Sequence, residues 1–387
     1  MGSVINIMAL VVFATSLFSR SVDPVIPQIA LGLNVAPATA ALLSTGFTLP
    51  YALIQPLVGA LADMFSKTRL IVGCMVVLGS VSMLSGLSTN FELLLTLRVI
   101  AGCASGGVFP IALAVVADRV PIAERQVAIG RVLAAALTGN LLGATASGVI
   151  GDLIGWRGVF FTTGAICLLA LFVAVPALRT LKETTSRFDL STLWPNYRTI
   201  FRNPMAKYCF GAVFVEAIFM FGVFPYMAVM LNSEGETRAS IAGLVIAGFA
   251  IGGIAYTFVV SKMLALFGER RLMVGGGLAV AACLVVIALR APWPVEFVNF
   301  IVLGFGFYSL HGCIHIYVTE LAPSARATAM SGHTAFFFLG QAIGPVIYGI
   351  GLDSIGLTPL LLTGAVAIAV TGCVCALCLR HQSPAVH

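Results

Sequence analysis

Long apolar runs, separated by short polar connections, recur along the whole chain. A helix that crosses a bilayer needs about 20 mainly apolar residues, and each of these runs reaches that length. Twelve runs meet this criterion, and we number the spans that they predict 1 to 12 in chain order: 4–30, 37–62, 69–89, 93–117, 127–150, 158–179, 206–231, 240–265, 271–291, 295–319, 327–351 and 357–379. The pattern therefore predicts an all-α membrane protein with twelve transmembrane helices.

One connection is much longer than the others. The stretch RTLKETTSRFDLSTLWPNYRTIFRNP, from Arg179 to Pro204, is polar and basic and lies between spans 6 and 7. It divides the spans evenly. We therefore predict an N-terminal six-helix bundle over residues 1–180, a cytoplasmic central loop over 181–204 and a C-terminal six-helix bundle over 205–387.

The two halves resemble each other in sequence. ERQVAIGRVLAAALTGNLLGATASGVIGDLIG, which includes span 5, aligns with ARATAMSGHTAFFFLGQAIGPVIYGIGLDSIG, which includes span 11. Six residues recur at an offset of 201: Arg125, Gly139, Gly143, Gly148, Asp152 and Gly155 as Arg326, Gly340, Gly344, Gly349, Asp353 and Gly356. Six identities at one offset indicate an internal duplication into two pseudo-symmetric bundles. Parallel six-helix repeats are typical of secondary transporters, which bind substrate near mid-membrane between the halves.

Composition agrees with a membrane protein and excludes a soluble one. Hydrophobic residues make up 59% of the chain, charged residues only 9%, and the mean hydropathy is +1.05. Soluble domains carry about 25% charged residues. The first apolar run lacks a basic n-region and a cleavage site, so we interpret it as a span. The nine cysteines lie in apolar runs without the spacing of a metal site, and no metal is predicted.

The net charge of +6 reflects membrane topology rather than nucleic-acid binding, because the basic residues are scattered over short loops. If the N-terminus lies inside, all but five of the 21 Lys and Arg residues fall on inner connections. The exceptions are Arg20, Arg98, Arg157, Arg238 and Arg290. The sequence therefore predicts a multi-pass protein of the inner (plasma) membrane with both termini in the cytoplasm.

Ionisable residues within the spans are the candidates for function, because a charge inside the bilayer costs about 2.5–3.5 kcal/mol on insertion scales. The candidates are Arg20 and Asp23 in span 1, Arg98 in span 4, Glu216 in span 7, and His311 and His315 in span 10. Each lies on the first helix of a three-helix unit. Burial disfavours the charged form of a mid-depth carboxylate, so such a group can bind and release a proton as a cavity changes sides.

Helical rise places two of these charges at similar depth. At 1.5 Å per residue, Asp23 lies about 28 Å from the inner start of span 1 and Arg98 about 8 Å from the outer start of span 4. We therefore predict that Asp23 and Arg98 can pair. Glu216 lies about 15 Å into span 7, near the midplane.

Structural alternatives stay open for most of these side chains. Arg20 and Asp23 can simply mark the outer end of span 1, where their charges reach the headgroups. Arg98 can be a pin between helices, and the two histidines of span 10 can be hydrogen-bonded packing residues. A purely structural role is harder to assign to Glu216. His333 in span 11 is interpreted as a packing residue.

Several motifs resemble those of the major facilitator superfamily, and together they cover essentially the whole chain. GALADMFSKTR between spans 2 and 3 resembles the loop signature Gly-x-x-x-Asp-Arg-x-Gly-Arg-Arg, with departures at positions 64 and 66. LRVIAGCASGG in span 4 resembles the family's intramembrane arginine motif, and GWRGVFF and ELAPSARATA are also similar to its sequences. Gly139, Gly143 and Gly148 match the span 5 motif Gly-x-x-x-Gly-Pro-x-x-Gly-Gly of the drug:proton antiporter and efflux branch, whose proline is Ala144 here.

The resemblance implies roles for these residues. Spans 1, 4, 7 and 10 line the central cavity of that family, so the implied substrate and proton pathway consists of Arg20, Asp23, Arg98, Glu216, His311 and His315. The implied cytoplasmic gate consists of Gly59, Asp63, Lys67, Arg69 and Asp118. In it Asp63 faces the N-terminus of helix 11, and Lys67 or Arg69 reaches Asp118. The glycines Gly139, Gly143 and Gly148 fit close helix packing and would let helices 5 and 8 slide at the interface between the halves.

We therefore predict a proton-coupled secondary transporter that moves a small organic molecule by alternating access, with efflux by antiport as the leading mode. Proton-coupled uptake of a small metabolite or organic anion by symport is the alternative. The sequence has no nucleotide-binding motif, and HGCIH lacks the glutamate of HExxH, so neither ATP-driven transport nor an enzyme is predicted. The proton is the expected coupling ion, and no other cofactor is predicted. The expected partners are the substrate and the bilayer, without nucleic acid, and the expected state is a monomer.

Overall fold

The computed structural model describes residues 2–179, 193–322 and 325–379, and helices dominate them. The helices are α1 (Gly2–Ser16), α2 (Ile26–Gly32), α3 (Pro37–Met64), α4 (Lys67–Gly86), α5 (Phe91–Arg119), α6 (Ile122–Arg179), α7 (Leu193–Arg202), α8 (Ala206–Glu216), α9 (Phe224–Ser233), α10 (Ala239–Ala288), α11 (Trp293–Glu320), α12 (Arg326–Ser354) and α13 (Leu357–Cys378). Two of them begin with a polar N-cap residue: the Ser66 side chain accepts from the Arg69 N–H at the start of α4, and the Asn90 side chain accepts from the Leu93 N–H at the start of α5.

Ten apolar stretches of the described residues are long enough to cross a membrane. Two of them are double, because α6 has 58 residues and α10 has 50, whereas about 20 suffice for one crossing. A glycine with positive φ divides each, Gly155 in α6 (φ 77°) and Gly268 in α10 (φ 71°). The chain reverses there, so α6 comprises spans 5 and 6, and α10 comprises spans 8 and 9. The prediction of twelve spans is confirmed.

The predicted internal repeat is visible in the backbone. Gly155, between spans 5 and 6, has φ 77° and ψ 172°. Its repeat partner Gly356, between spans 11 and 12, has φ 81° and ψ 164°. This backbone conformation is essentially restricted to glycine, because a side chain would clash there. The duplication has therefore kept the same turn in both halves.

Spans 1 and 7 are not continuous helices, which the apolar pattern does not reveal. Span 1 consists of α1, 3₁₀ turns at Leu17–Ser19 and Asp23–Val25, and α2. Span 7 consists of α8, a π-helical turn at Ala217–Phe221, and α9. With the offset of 201, the π turn of span 7 corresponds to the first part of the break in span 1. Local departures of this kind are frequent at functional sites.

Close helix contacts beside both breaks depend on glycine. Gly139 and Gly143 of span 5 lie against the backbone of Phe13 and Leu17 in span 1. The repeat partners make the same contact in the second half, where Gly340 and Gly344 of span 11 lie against Phe214 and Ile218 of span 7. A side chain at these positions would overlap a backbone carbonyl group, so glycine lets the two helices approach at this distance.

Only one of the three predicted packing glycines lies at the interface between the halves. Gly148 lies against the Ala239 backbone at the start of span 8. The prediction of a sliding contact between helices 5 and 8 is therefore wrong for Gly139 and Gly143, because their side of span 5 faces span 1 of the same half.

The halves are joined most extensively at one end of the molecule. With an even number of spans, the first span begins and the last span ends at the same face, which we call the terminal face; the opposite one is the distal face. Toward the distal face, Val25 and Ile29 of span 1 share one buried core with Phe224 and Met227 of span 7. Much of the first half, including Met8 of span 1, belongs to a separate core.

The predicted central loop contains a helix, α7. Ile200 is buried, and the Phe201 ring lies 5.7 Å from Phe210 and 6.4 Å from Phe336 between centroids. These apolar contacts explain why the segment is helical although its overall composition is polar. The division of the chain at residues 181–204 stays a prediction, because 180–192 lie outside the described residues.

We expect Gly143→Ala to lower the apparent melting temperature of the protein in detergent, because the new methyl group meets the Leu17 carbonyl group. Overpacking of this kind costs about 1–3 kcal/mol. The matched control is Gly275→Ala in span 9, where a Cβ meets nothing within 4 Å. The control should match or exceed the wild type, because alanine is favoured over glycine in a helix. Equal melting temperatures for the two variants would contradict the assigned contact.

Candidate functional site

The break in span 1 holds a buried ion pair. Arg20 Nη1 lies 3.4 Å from Asp23 Oδ2, and the exposed fractions of the two side chains are 13% and 1%. Ser44 of span 2 donates its hydroxyl to Asp23 Oδ1 at 2.7 Å. Because α2 continues the span beyond this pair, the charges lie inside the protein and not at the exposed end of a helix.

Arg20 also connects the two halves. Its Nη2 donates to Gln341 Oε1 of span 11 at 3.0 Å. Its guanidinium lies 4.6 Å from the ring centroid of Phe221 and 4.7 Å from that of Phe224, both in span 7. These two phenylalanines are the repeat counterparts of Arg20 and Asp23, so the charged break of one half packs on the aromatic break of the other. A desolvated cation over an aromatic face gains about 2 kcal/mol.

Arg98 is buried, but the structure differs from the predicted Asp23–Arg98 pair. Arg98 Nε donates to the Leu43 carbonyl oxygen at 3.3 Å, and the guanidinium lies 4.4 Å from the ring centroid of Phe47. Asp23 pairs with Arg20 instead, because the break in span 1 brings these two side chains together. Span 2 contacts both Arg98 and Asp23 and so links them indirectly.

The second buried carboxylate lies at the break in span 7. Glu216 is the last residue of α8 and is fully buried. Its Oε2 lies 3.0 Å from His311 Nδ1 of span 10. Its Oε1 has no hydrogen-bond partner among the described residues. A buried carboxylate oxygen without a partner is costly as an anion and is stabilised when it binds a proton or a donor group of a ligand.

Three histidines lie together beside Glu216. The ring centroids of His311 and His315 in span 10 are 6.3 Å apart, and His333 of span 11 lies 5.0 Å from the first and 5.2 Å from the second. His333 is buried, and its Nε2 has no partner in the described part of the chain. The interpretation of His333 as a packing residue missed this cluster, because a contact between spans 10 and 11 has no signature within either span.

Phenylalanine rings surround the histidines. Phe307 lies 4.7 Å from His311 between ring centroids, and Phe337 lies 5.0 Å from it. Phe336, next along span 11, stacks on Phe210 at 5.2 Å with an interplanar angle of 5°. An apolar aromatic wall beside one buried carboxylate is an environment that suits a small amphipathic organic molecule.

The predicted gate at the terminal face is described in part. Lys67 Nζ donates to Asp118 Oδ2, which connects the start of α4 to the end of α5. Arg69 is exposed. Gly59 lies in α3. The side chain of Asp63 lies outside the described part of the protein, so its contact with helix 11 stays a prediction.

Two further hydrogen-bonded contacts join the halves toward the distal face. Asp152, at the end of span 5, accepts the backbone N–H groups of Ala239 at 2.8 Å and Ser240 at 2.9 Å, which begin span 8. Thr45 of span 2 donates to the Ala342 carbonyl oxygen of span 11 at 2.7 Å. A carboxylate at a helix N-terminus satisfies free N–H groups and the helix dipole. The repeat marked Asp152 in the sequence, but its partner helix was not predictable from it.

Comparison with known proteins assigns the family. The family model described as Major Facilitator Superfamily matches residues 8–241 and 233–387. The chain belongs to the major facilitator superfamily. It is therefore a multi-pass membrane transporter and not an enzyme.

Curated members of this superfamily that are similar to the chain include drug-resistance proteins. Multidrug resistance protein 2 of Bacillus subtilis (strain 168) is 24% identical over 379 residues, which cover 93% of this chain and 92% of that protein. The quinolone resistance protein NorA of Staphylococcus aureus is 26% identical over 344 residues, which cover 86% of this chain and 85% of that protein. The resemblance to the drug-efflux branch of the superfamily is confirmed by these relatives.

Solved structures of other major facilitator transporters share the fold. The nucleoside transporter NupG superposes with a TM-score of 0.77 over 97% of this chain and 98% of that chain, at 14% identity. A bacterial homologue of the human lysosomal transporter Spinster, in an inward-facing and occupied conformation, gives a TM-score of 0.71 over 97% and 95%, at 20% identity. At these identities the likeness extends to the fold alone.

Arg20→Gln should destabilise this transporter, because it leaves Asp23 buried without its cation. Breaking a buried pair costs about 3–5 kcal/mol, which we expect to observe as a lower apparent melting temperature in detergent. The double variant Arg20→Gln/Asp23→Asn should recover much of the loss, since no unpaired charge remains.

The control for this experiment is Arg238→Gln. It removes the exposed ion pair between Arg238 and Glu236, which solvent screens, and should leave the melting temperature unchanged. A single variant at Arg20 that is as stable as the double variant would show that the ion pair does not stabilise the fold.

Proposed function

We propose that this transporter exports small amphipathic organic molecules in exchange for protons. The observation that carries the proposal is the presence of one buried carboxylate at each helix break, Asp23 in the first half and Glu216 in the second. Asp23 lies where spans of the two halves approach each other, and Glu216 lies beside the aromatic wall. Intramembrane carboxylates in such places are typical of proton and substrate pathways.

Glu216 has the properties of a group that binds either a proton or substrate. Its Oε1 has no partner among the described residues, so a proton or a donor group of the substrate can occupy that oxygen. Because the two ligands compete for one carboxylate, the transporter carries one of them in each direction. This competition is the physical basis of antiport.

Asp23 has a different environment, because Arg20 and Ser44 already satisfy it. A proton on Asp23 would remove the negative charge that Arg20 faces and would weaken the contact between Arg20 and its surroundings. In the proposed mechanism Asp23 therefore couples a proton to the contact between the halves, and Arg98 modulates it through span 2.

The aromatic wall and the relatives support the substrate class. Rings of Phe307 and Phe337 beside His311 suit a flat, apolar molecule with one polar or charged group. The similar proteins described above are named for multidrug and quinolone resistance. A single chain supplies both carboxylates, so we propose that the monomer is the functional unit.

Proton flux in proteoliposomes tests this function. A trapped pH dye reports flux under an imposed gradient while panels of lipophilic cations and organic anions are added. We expect substrate-driven proton movement opposite to the substrate. Glu216→Gln and Asp23→Asn should each abolish it, because an amide keeps the shape of the carboxyl group but cannot carry a proton.

The matched control is Glu296→Gln, a buried carboxyl group in span 10 of the same half as Glu216, which accepts a hydrogen bond from Asn299 of the same span at 3.0 Å. It should keep wild-type flux. Proton movement in the same direction as an organic anion would indicate symport instead. Coupled flux that persists in both test variants would refute the assigned carriers.

We also propose that the transporter lies in the plasma membrane with its terminal face toward the cytoplasm. Glu124 is exposed at the terminal face and Thr237 at the distal face. In a background in which the exposed Cys103 and Cys373 are replaced by serine, a membrane-impermeant maleimide should label Thr237→Cys in intact cells. It should label Glu124→Cys only after permeabilisation. The reverse pattern would invert the topology.

A further inference from the structure

We propose that His315, His333 and His311, in that order, carry protons from the terminal face to Glu216. The inference rests on the proposed proton coupling and adds the route by which Glu216 is loaded. It assigns His333 a function that neither the sequence nor the family comparison gives it.

The route begins at an exposed histidine and ends at a fully buried carboxylate. His315 is exposed and lies closest to the terminal end of span 10. The His311 side chain is 16% exposed, His333 is 4% exposed and Glu216 is fully buried. Water therefore reaches the cluster first at His315, whereas Glu216 is reached only through neighbouring side chains.

The distances favour a path through His333 over a direct step along span 10. His315 and His333 are 5.2 Å apart between ring centroids, and His333 and His311 are 5.0 Å apart, whereas His315 and His311 are 6.3 Å apart. His311 Nδ1 then meets Glu216 Oε2 at 3.0 Å. The open Nε2 of His333 is free to accept or donate a proton. Ring separations of 5.0–5.2 Å can be bridged by a small rotation of the rings or by one water molecule.

Each imidazole can accept a proton at one ring nitrogen and release another from its second nitrogen. One proton taken up at His315 therefore emerges on a Glu216 oxygen, and each of the three rings returns to its original charge. The rings finish in the other tautomer and reset by rotation or by the reverse transfer.

Other titratable groups lie near this site on neighbouring spans. They are Cys209 in span 7, Tyr256 in span 8, Cys375 in span 12, and Tyr308 in span 10, which lies near Arg20 of span 1. Thiols and phenols ordinarily keep their protons near neutral pH, and arginine keeps its charge. Among the described residues no group of three His, Cys, Asp or Glu side chains is arranged to hold a metal ion. The proposed route therefore uses the histidines and Glu216 and none of these neighbouring groups.

The test measures the initial rate of substrate-driven proton flux in proteoliposomes for the wild type, His333→Phe, His315→Phe and the double variant. We expect each single variant to lower the rate by about tenfold or more, as for loss of a proton-transfer group. The double variant should be no slower than either single variant, because both residues serve one route. Equilibrium binding of the substrate should stay unchanged, and added imidazole should restore part of the flux. His381→Gln, another histidine of the chain, is the control and should match the wild type.

A second variant, His333→Gln, separates proton transfer from packing, since glutamine keeps polar contacts but cannot relay a proton. The inference predicts that His333→Gln is as slow as His333→Phe. Two results would overturn the route and leave the proposed function intact. One is normal flux in His333→Gln. The other is unchanged flux in His333→Phe in an experiment in which the wild type is coupled and Glu216→Gln is not. A wild type without coupled flux for any compound would refute the proposed function itself.

Discussion

A helix can break inside a membrane only where neighbouring protein satisfies the backbone groups and charges that the break leaves buried. Spans 1 and 7 break at equivalent places, and spans 5 and 11 cover both breaks through glycines that allow backbone contact. The ion pair of Arg20 and Asp23, and the buried Glu216, both depend on this cover. Without the close approach of spans 5 and 11, water or lipid would reach groups that are stable only within the protein.

The duplication has preserved the backbone of this arrangement and not its chemistry. Arg20 and Asp23 correspond to Phe221 and Phe224, and Glu216 corresponds to Thr15, whose hydroxyl merely donates to its own helix. Each half therefore carries a carboxylate at a different depth. The asymmetry also creates the contact between the halves, because the cation of one break meets the aromatic rings of the other.

Sequence reasoning predicted what depends on length and spacing. Apolar runs gave the twelve spans, and the repeat of Gly155 as Gly356 marked a turn that the backbone repeats. It failed for the partners of individual side chains, which depend on local breaks in the helices and on contacts between distant spans. The predicted partner of Asp23 is wrong, because the depth calculation treats span 1 as a straight helix. The interpretation of His333 as a packing residue misses its neighbours, because they lie on another span. The helix that Asp152 caps could not be predicted either, since the contact joins two halves with no shared motif.

The depths of the two carboxylates give a physical reason for alternating access under the proposed mechanism. Glu216 occupies the place of Thr15, eight residues before Asp23, and so lies nearer the terminal face. The proposed route to Glu216 begins at exposed His315, while Asp23 is enclosed by Ser44 and by Arg20, which itself contacts Gln341 of the other half. A proton on Asp23 would leave Arg20 without its anion, and among the described residues its remaining contacts with Gln341 and two aromatic rings are too few to offset the cost of burying its charge. The distal contact would then open to water as Arg20 is hydrated, so the two carboxylates would reach solvent from opposite faces and at different times.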